Sequence, residues 1–332
     1  MSKLKVCIPV TSRGNCGKFK SIMREIDRNP ALELQLIVGG GSLLQKYGDF
    51  VNEGELAGFE VDLSIYFIVE GENPVTMAKS TGLALTEFAT AFKTLQPDVV
   101  LTIADRFEEL AIAAAATFQN IPLAHIEGGE ISGSIDESLR HAITKLSHLH
   151  FPASETAADR ISNLGEPDDS IFPVGATSLD ILENIDLSDT ERLENELRNR
   201  GVGGDISLTE DYLLVIQHPV TTEYQYNRKY TEETIDAIDK LDIPAIWLWP
   251  NMDAGTDGVS KAIRVYREHN DSDHIRWYTS LPIEQYGKVL YNSSCIVGNS
   301  SSGIRESAYL GVPAVNIGNR QAGRQRGKNV ID

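Results

Sequence analysis

Short apolar, strand-like runs alternate with longer stretches of helical spacing, and this rhythm restricts the fold more than any other feature of the chain. Runs at Lys5–Val10, Leu34–Val38, Ser64–Val69, Asp98–Ile103, Pro122–Ile126, His148–Pro152 and Ile171–Val174 read as strands. Between them, Met77 to Leu95 and Phe107 to Phe118 carry Ala and Leu at helical spacing. Apolar strands separated by helices belong in parallel sheets covered on both faces. The rhythm resumes with Tyr212–Gln217, Pro244–Trp249, His274–Thr279, Cys295–Gly298 and Val312–Ile317. A polar stretch, Asn184 to Asp211, lies between the two series, with an RGVGGD break at Arg200–Asp205. The predicted architecture is α/β, two Rossmann-like doubly wound domains at 1–178 and 179–332, whose carboxyl strand edges face a shared central cleft.

At 332 residues the chain can supply two such cores, since domains run to roughly 100–200 residues. No run reaches the roughly 18 apolar residues of a membrane span, and the opening MSKLKVCIPV goes straight into a strand pattern without a cleavage site. Three scattered cysteines, Cys7, Cys16 and Cys295, lack CxxC spacing and suggest neither disulfides nor a zinc site, so the expected compartment is the cytoplasm. Acidic side chains outnumber basic ones 48 to 30, a net charge of −18. Nucleic acid and anionic membrane, which need a basic field, are therefore not expected partners. An anionic small ligand would have to meet local positive charge.

Arg13 and Lys18 supply such charge in a strand-to-helix turn. The segment is not a Walker A loop, because Ser12 and Phe19 stand where Gly and Ser or Thr are required. A solvated basic turn is its plain alternative. Gly39-Gly-Gly41 permits close backbone approach but reads more simply as a turn. Ile103-Ala-Asp-Arg-Phe107 puts Asp105 and Arg106 at a carboxyl sheet edge, where Asp105 would serve equally well as a helix N-cap. Alternation places His125 and Glu127 on one face of one strand; with no cysteine or further histidine beside them, no metal site is expected. Asp136 and Arg140 form an i, i+4 pair, which by itself reads as a surface ion pair. His148 and His150 look structural. His218, just past an apolar strand in Gln217-His-Pro219-Val-Thr-Thr222, is expected to project its imidazole into the cleft, Pro219 fixing the exit.

Val297 to Glu306 reads as a strand followed by a small-residue turn that opens a helix. The turn residues Asn299, Ser300, Ser301, Ser302 and Gly303 offer backbone N–H groups and hydroxyls to an anion. Glu306, one turn into the helix, is placed to accept from sugar hydroxyls; an ordinary N-cap is the plain alternative.

Taken together, these segments resemble the hydrolysing UDP-N-acetylglucosamine 2-epimerases, both those of bacterial sialic-acid pathways and the epimerase domain of the animal bifunctional epimerase/kinase. The matching pieces are Arg13 with Lys18, ADRFE (104–108), HIEGGEISGSIDESLRHAITKLSH (125–148), QHPVTT (217–222), PNMDAG (250–255), GNSSSGIRE (298–306) and GNRQAGR (318–324), spread over essentially the whole chain. The resemblance implies a GT-B fold with the nucleotide held mainly by the second domain, no cofactor or metal, a nucleotide-sugar substrate, and a homo-oligomer, dimer or tetramer. By the same resemblance Asp105, Glu127, Asp136 and His218 fall on catalytic positions. Arg13, Ser300, Ser301, Glu306 and Arg320 fall on nucleotide-sugar contacts, and Lys18, Arg106, Arg140, Asn299, Ser302 and Gly303 join them as substrate-binding candidates.

The implied reaction eliminates UDP across C1–C2 to give 2-acetamidoglucal, then adds water to give N-acetylmannosamine. Asp105 or Glu127 is expected to remove the C2 proton while His218 steadies the leaving diphosphate. Non-hydrolysing relatives usually carry Arg-Pro-Glu in the first turn and a later Thr-Glu-Arg-Pro. Here Gly14-Asn15 follows Arg13, and Asn319-Arg-Gln-Ala-Gly-Arg324 replaces the second signature, which favours hydrolysis. Two departures stand out. Ala104 occupies the usual Gly before Asp-Arg, and the chain stops soon after Asn329 where family members continue, usually with a helix that packs back on the first domain; the second domain is therefore read as truncated at its end. A cousin acting on GDP- or UDP-linked N,N'-diacetylbacillosamine, in the legionaminic acid route, is the alternative. Behind it come a non-hydrolysing epimerase, a GT-B glycosyltransferase and a catalytically silent nucleotide-sugar binder, the last two disfavoured by the acid–base set.

Overall fold

In the computed structural model, which describes residues 2–44, 56, 58–270 and 273–332, the strand-like runs form two separate parallel sheets. The chain divides into two compact units at Ile181/Leu182, and two short loops, Gly71–Pro74 and Ser132–Ser134, fall with the second.

In the first unit β1 (Leu4–Val10), β2 (Leu32–Gly39), β3 (Leu63–Ile65), β4 (Val99–Ile103), β5 (Leu123–Ile126) and β6 (Leu149–Phe151) lie in the order β3-β2-β1-β4-β5-β6. All neighbours are parallel, with β1 and β2 in register from Leu4 opposite Leu32 to Val10 opposite Val38. Parallel pairing needs a crossover between strands. The crossovers carry α1 (Arg13–Arg28), α2 (Pro74–Leu95), α3 (Phe107–Phe118) and α4 (Asp136–Leu146), and α5 (Glu155–Asn163) follows β6. Alternation along β1 divides the core. Val6, Ile8 and Val10 meet Cys16, Phe19, Met23 and Ile26 of α1 on one face. On the other, Cys7 packs in a cluster with Phe88 and Phe92 of α2 and Ala111, Ile112 and Ala115 of α3.

The second unit is built likewise. Past α6 (Ser178–Glu183) and α7 (Glu191–Arg198), its strands are β7 (Val202–Gly203), β8 (Leu213–Ile216), β9 (Ala245–Leu248), β10 (Ile275–Tyr278), β11 (Cys295–Gly298), β12 (Ala314–Asn316) and β13 (Val330–Ile331). They lie in the order β13-β12-β11-β8-β9-β10-β7, parallel except for β7. The helices are α8 (Asn227–Leu241), α9 (Thr256–His269), α10 (Ile283–Asn292) and α11 (Glu306–Leu310). Trp247 and Trp277, opposite each other on β9 and β10, stack with ring centroids 5.0 Å apart and anchor one face of the core.

Three strand readings need correction. Ile171–Val174 is not a strand: Ile171 makes an isolated parallel bridge with His150, and although Phe172 and Val174 donate to the His150 and Pro152 carbonyls at 2.8 and 3.2 Å, Pro152 has no N–H to return a bond and continue the ladder. Ser64–Val69 shortens to Leu63–Ile65, the residues paired with β2. The RGVGGD break contains β7, antiparallel to β10. Gly39-Gly-Gly41 is explained by packing: a Cβ at Gly39 would come within 2.9 Å of Ile65 and Phe67 side chains, so the close approach there is to the unit's own core. Among the described residues no helix is long and apolar enough to cross a membrane.

In open doubly wound sheets, ligands gather at the carboxyl ends of the two central strands where the winding reverses. Here those are β1 and β4 in the first unit, β8 and β11 in the second.

Candidate active site

In the first unit the turn after β1 is fixed by Ser12, whose hydroxyl caps α1 by accepting from the Asn15 N–H at 3.4 Å. Arg13 therefore opens the helix. Lys18, farther along it, places Nζ 2.5 Å from Oε2 of Glu127, whose carboxylate is fully buried at the end of β5. A cation expected to meet substrate and a carboxylate expected to act on it are thus brought together as an ion pair.

Asp105 follows β4 but does not cap α3; the N-cap is Arg106, which makes no side-chain cap bond. Asp105 instead pairs with Arg140 of α4, which also donates to the Glu130 carbonyl at 2.7 Å. Arg140 is only 1% exposed, so the reading of Asp136 and Arg140 as a surface pair is wrong: at this position α4 turns inward toward the end of β4. Asp136 opens α4 and is partly exposed. Arg106, a substrate-binding candidate, forks onto both oxygens of buried Glu108 at 3.0 and 3.1 Å, a bidentate bond that occupies the Nε/Nη2 edge of its guanidinium.

Ala104 (φ +63°) and Glu127 (φ +57°), each the first residue past its strand, are in the left-handed region, at a cost of roughly 1–2 kcal/mol apiece for a residue with a Cβ. The bend at 104 accounts for the Gly usual in the resembling enzymes. Buried His125 ties the bend at 104 to α4. Its Nε2 lies 2.9 Å from the Ala104 carbonyl, which can only accept, so Nε2 carries the proton; Nδ1 lies 3.1 Å from the Thr144 hydroxyl, which also reaches the Arg140 carbonyl at 3.0 Å. Burial, partly offset by the Ala104 bond, pushes the His125 pKa down to about 4. The unfolded imidazole takes its proton near 6.5, so between those values the unfolded state binds more protons and stability falls as pH falls. Urea unfolding of the native protein should lose about 3 kcal/mol more across this window than that of His125→Gln, at 1.36 kcal/mol per pH unit. Parallel pH profiles for the two proteins would contradict this.

Glu109 was not singled out by sequence. It is fully buried at the switch point, accepting from Thr11 and Thr102 hydroxyls at 3.1 and 2.6 Å, the Asn15 amide at 2.6 Å and the Ile103 N–H at 3.3 Å. Burial pushes its pKa up to about 7 against those bonds. Its role is to tie the α1 turn to the end of β4. The only hint in the sequence is threonine at both strand ends.

In the second unit Gly298 (φ +135°) lets β11 pass β8; a Cβ there would lie 2.1 Å from the Ile216 carbonyl. Asn299 comes next and is 1% exposed. Both polar atoms of its amide bind the main chain of His218, at 2.7 and 2.8 Å, and its carbonyl accepts from Arg320 at 3.2 Å and Gln321 at 2.8 Å. Asn299, expected to offer its backbone N–H to an anion, instead donates it to the Ile216 carbonyl at 3.1 Å, and its amide is engaged within the protein. Ser300 accepts from the Ser302 N–H at 3.3 Å, and the Ser302 hydroxyl bonds the Tyr286 hydroxyl of α10. The helix expected to open here begins later. Ser301–Gly303 is a tight 3₁₀ turn, held by an i+3 bond from Gly303 N–H to the Ser300 carbonyl, and α11 starts at Glu306, which heads the helix instead of lying one turn inside it. Glu306 is 7% exposed, and its Oε2 has no hydrogen-bond partner among the described residues. Among the described residues no three His, Cys, Asp or Glu side chains group as metal ligands.

Two doubly wound parallel-sheet units in one chain, with polar side chains gathered at the switch-point strand ends of each, define a GT-B-like fold. The family model described as UDP-N-acetylglucosamine 2-epimerase matches residues 24–331, and the chain belongs to that family, a family of enzymes. It is 35% identical over 328 residues to the hydrolysing UDP-N,N'-diacetylbacillosamine 2-epimerase of Legionella pneumophila, covering 99% of this chain and 84% of the relative. It is 32% identical over 326 residues to the UDP-N-acetylglucosamine 2-epimerase of Neisseria meningitidis, covering 98% and 82%. The crystal structure of a Neisseria meningitidis UDP-GlcNAc 2-epimerase bound to UDP-GlcNAc shares the fold, with a TM-score of 0.77 at 17% identity over 96% of this chain and 84% of that one.

Proposed function

We propose that this chain is a hydrolysing 2-epimerase that converts UDP-N-acetylglucosamine to UDP and N-acetylmannosamine. The observation that carries the reading is the pairing, at adjacent strand ends of the first unit, of Glu127 with Lys18 and Asp105 with Arg140. Elimination across C1–C2 needs a base for the C2 proton and stabilisation of the departing diphosphate. Addition of water then needs a base for the water and an acid for C2. A carboxylate held by a cation is fixed in place at its strand end as a candidate proton acceptor. Asp105, Glu127 and Asp136 are assigned to the sugar. The 300–303 turn, Arg320 and Glu306 of the second unit are assigned to the nucleotide, with His218 on the leaving diphosphate and Arg13 as a further cation for it.

A second reading, hydrolysis of a nucleotide-linked N,N'-diacetylbacillosamine, is favoured by the Legionella relative at 35% identity. Incubation with UDP-N-acetylglucosamine, and separately with UDP- and GDP-linked N,N'-diacetylbacillosamine, tests both. UDP and free N-acetylmannosamine in equal amounts are expected. Turnover of a diacetylbacillosamine substrate alone supports the second reading, and accumulation of UDP-N-acetylmannosamine would remove hydrolysis from both.

A further inference from the structure

Beyond Ile216, β8 runs into Gln217-His218-Pro219-Val220, and two asparagines grip the main chain on either side of the proline. Asn299 Oδ1 accepts the His218 N–H at 2.7 Å while its Nδ2 donates to the His218 carbonyl at 2.8 Å. Asn227, in the first turn of α8, repeats the arrangement on Val220: Oδ1 accepts the N–H at 2.9 Å and Nδ2 donates to the carbonyl at 3.3 Å. Both asparagines are buried, and Pro219 between the gripped residues has no N–H to satisfy. A primary amide offers a donor and an acceptor side by side, matching the N–H and C=O of one residue. The two amides give buried main chain past the end of the strand the partners that a ladder would otherwise supply.

The same loop fixes the imidazole. The main-chain N–H of Asn251 donates to His218 Nδ1 at 3.2 Å. A main-chain N–H cannot accept, so Nδ1 is bare and the proton of the neutral ring sits on Nε2.

We propose that Asn299 and Asn227 are positioning residues that present His218 as a neutral imidazole donating from Nε2. This rests on the 2-epimerase reading and deepens it. A ring protonated at Nε2 cannot take up the C2 proton there, which leaves that step to the carboxylates. It can stabilise negative charge growing on the departing diphosphate oxygen, and it does so without a proton changing hands.

The tautomer is measured directly on the full chain labelled with ¹⁵N-histidine. Long-range ¹H–¹⁵N correlation resolves the two ring nitrogens, with His218 assigned by its loss in His218→Gln. A bare Nδ1 and protonated Nε2 are expected both without ligand and with UDP. In Asn299→Ala and Asn227→Ala, kcat should fall by about 10²-fold, the scale for a catalytic group displaced by about 1 Å, while UDP affinity changes by less than about threefold. The His218 signals should move toward a mixture of tautomers. A proton on Nδ1 in the unaltered protein would overturn the proposal, as would unchanged kcat in both variants or equal losses of kcat and UDP affinity. Should either variant fail to fold, the tautomer in the unaltered protein still decides. Because that measurement needs no turnover, its failure is separate from failure of the 2-epimerase reading, which shows as absence of product from the unaltered protein.

Discussion

Asp105→Asn is expected to lower kcat by about 10²–10⁴, the usual contribution of a positioned acid–base group, with little change in UDP affinity. The amide keeps the size and shape of the carboxylate but cannot accept a proton. It also leaves the Arg140 guanidinium, 1% exposed, without its carboxylate partner. Removing one member of a buried pair costs roughly 3–5 kcal/mol of stability, so thermal unfolding must accompany the kinetics to show that the variant is folded at the assay temperature. The same chemistry has an isotopic signature. If the C2 proton is removed and another delivered from the opposite side, product made in heavy water carries deuterium at C2. Direct displacement at C1 would leave ordinary hydrogen there, and that result, or a fully active Asp105→Asn protein, would show that the chemistry is misplaced.

Glu306→Gln should weaken UDP binding by about 1.5–3 kcal/mol, the range for a hydrogen bond to a charged group. That is roughly 10–150-fold in Kd. Glu306 heads α11 with Oε2 buried and unpartnered among the described residues, an arrangement that is unfavourable until a donor arrives. The two ribose hydroxyls of a nucleotide are donors of the right kind. Glutamine keeps one acceptor oxygen and loses the charge, so the loss should be partial. Equal UDP affinity of the two proteins by calorimetry would remove Glu306 from the nucleotide contacts.

The α/β class and the two doubly wound sheets were legible because a parallel strand buried on both faces leaves an apolar run that periodicity detects. Two-residue β7 and β13 leave no such trace, and Ile171–Val174 looked like a strand because its composition is apolar while Pro152 beside it acts through a missing hydrogen bond. Site residues separated into two kinds. Position at a strand end could be read along the chain, and Asp105, Glu127 and His218 do lie just past β4, β5 and β8. Partnership could not. Spacing along a helix offered Arg140 only Asp136 as a partner, and the pairing with Asp105 that the tertiary fold adds could not be read from it. Asn299 was read only as part of an N–H-rich Gly-Asn-Ser-Ser-Ser-Gly turn, whereas its side-chain amide binds His218, a residue 81 positions away. Asn227 and Glu109 carry no local signal, since what distinguishes them is the main chain or hydroxyls they meet after folding.

The two left-handed residues past β4 and β5 bear on how such a sequence can drift. They share a positive φ and a similar penalty, yet only one side chain there has work to do. At 104 nothing beyond the bend is asked of the residue, so exchange of Ala for Gly would relieve the penalty at no cost to the chemistry, while a β-branched replacement would add strain with nothing in return. At 127 the relaxed choice, glycine, would abolish the carboxylate that meets Lys18, so the penalty there persists for as long as the chemistry does. Neighbouring strand ends that both turn through a positive φ are thus held by different selective forces, one by the shape of the backbone and the other by the charge it carries.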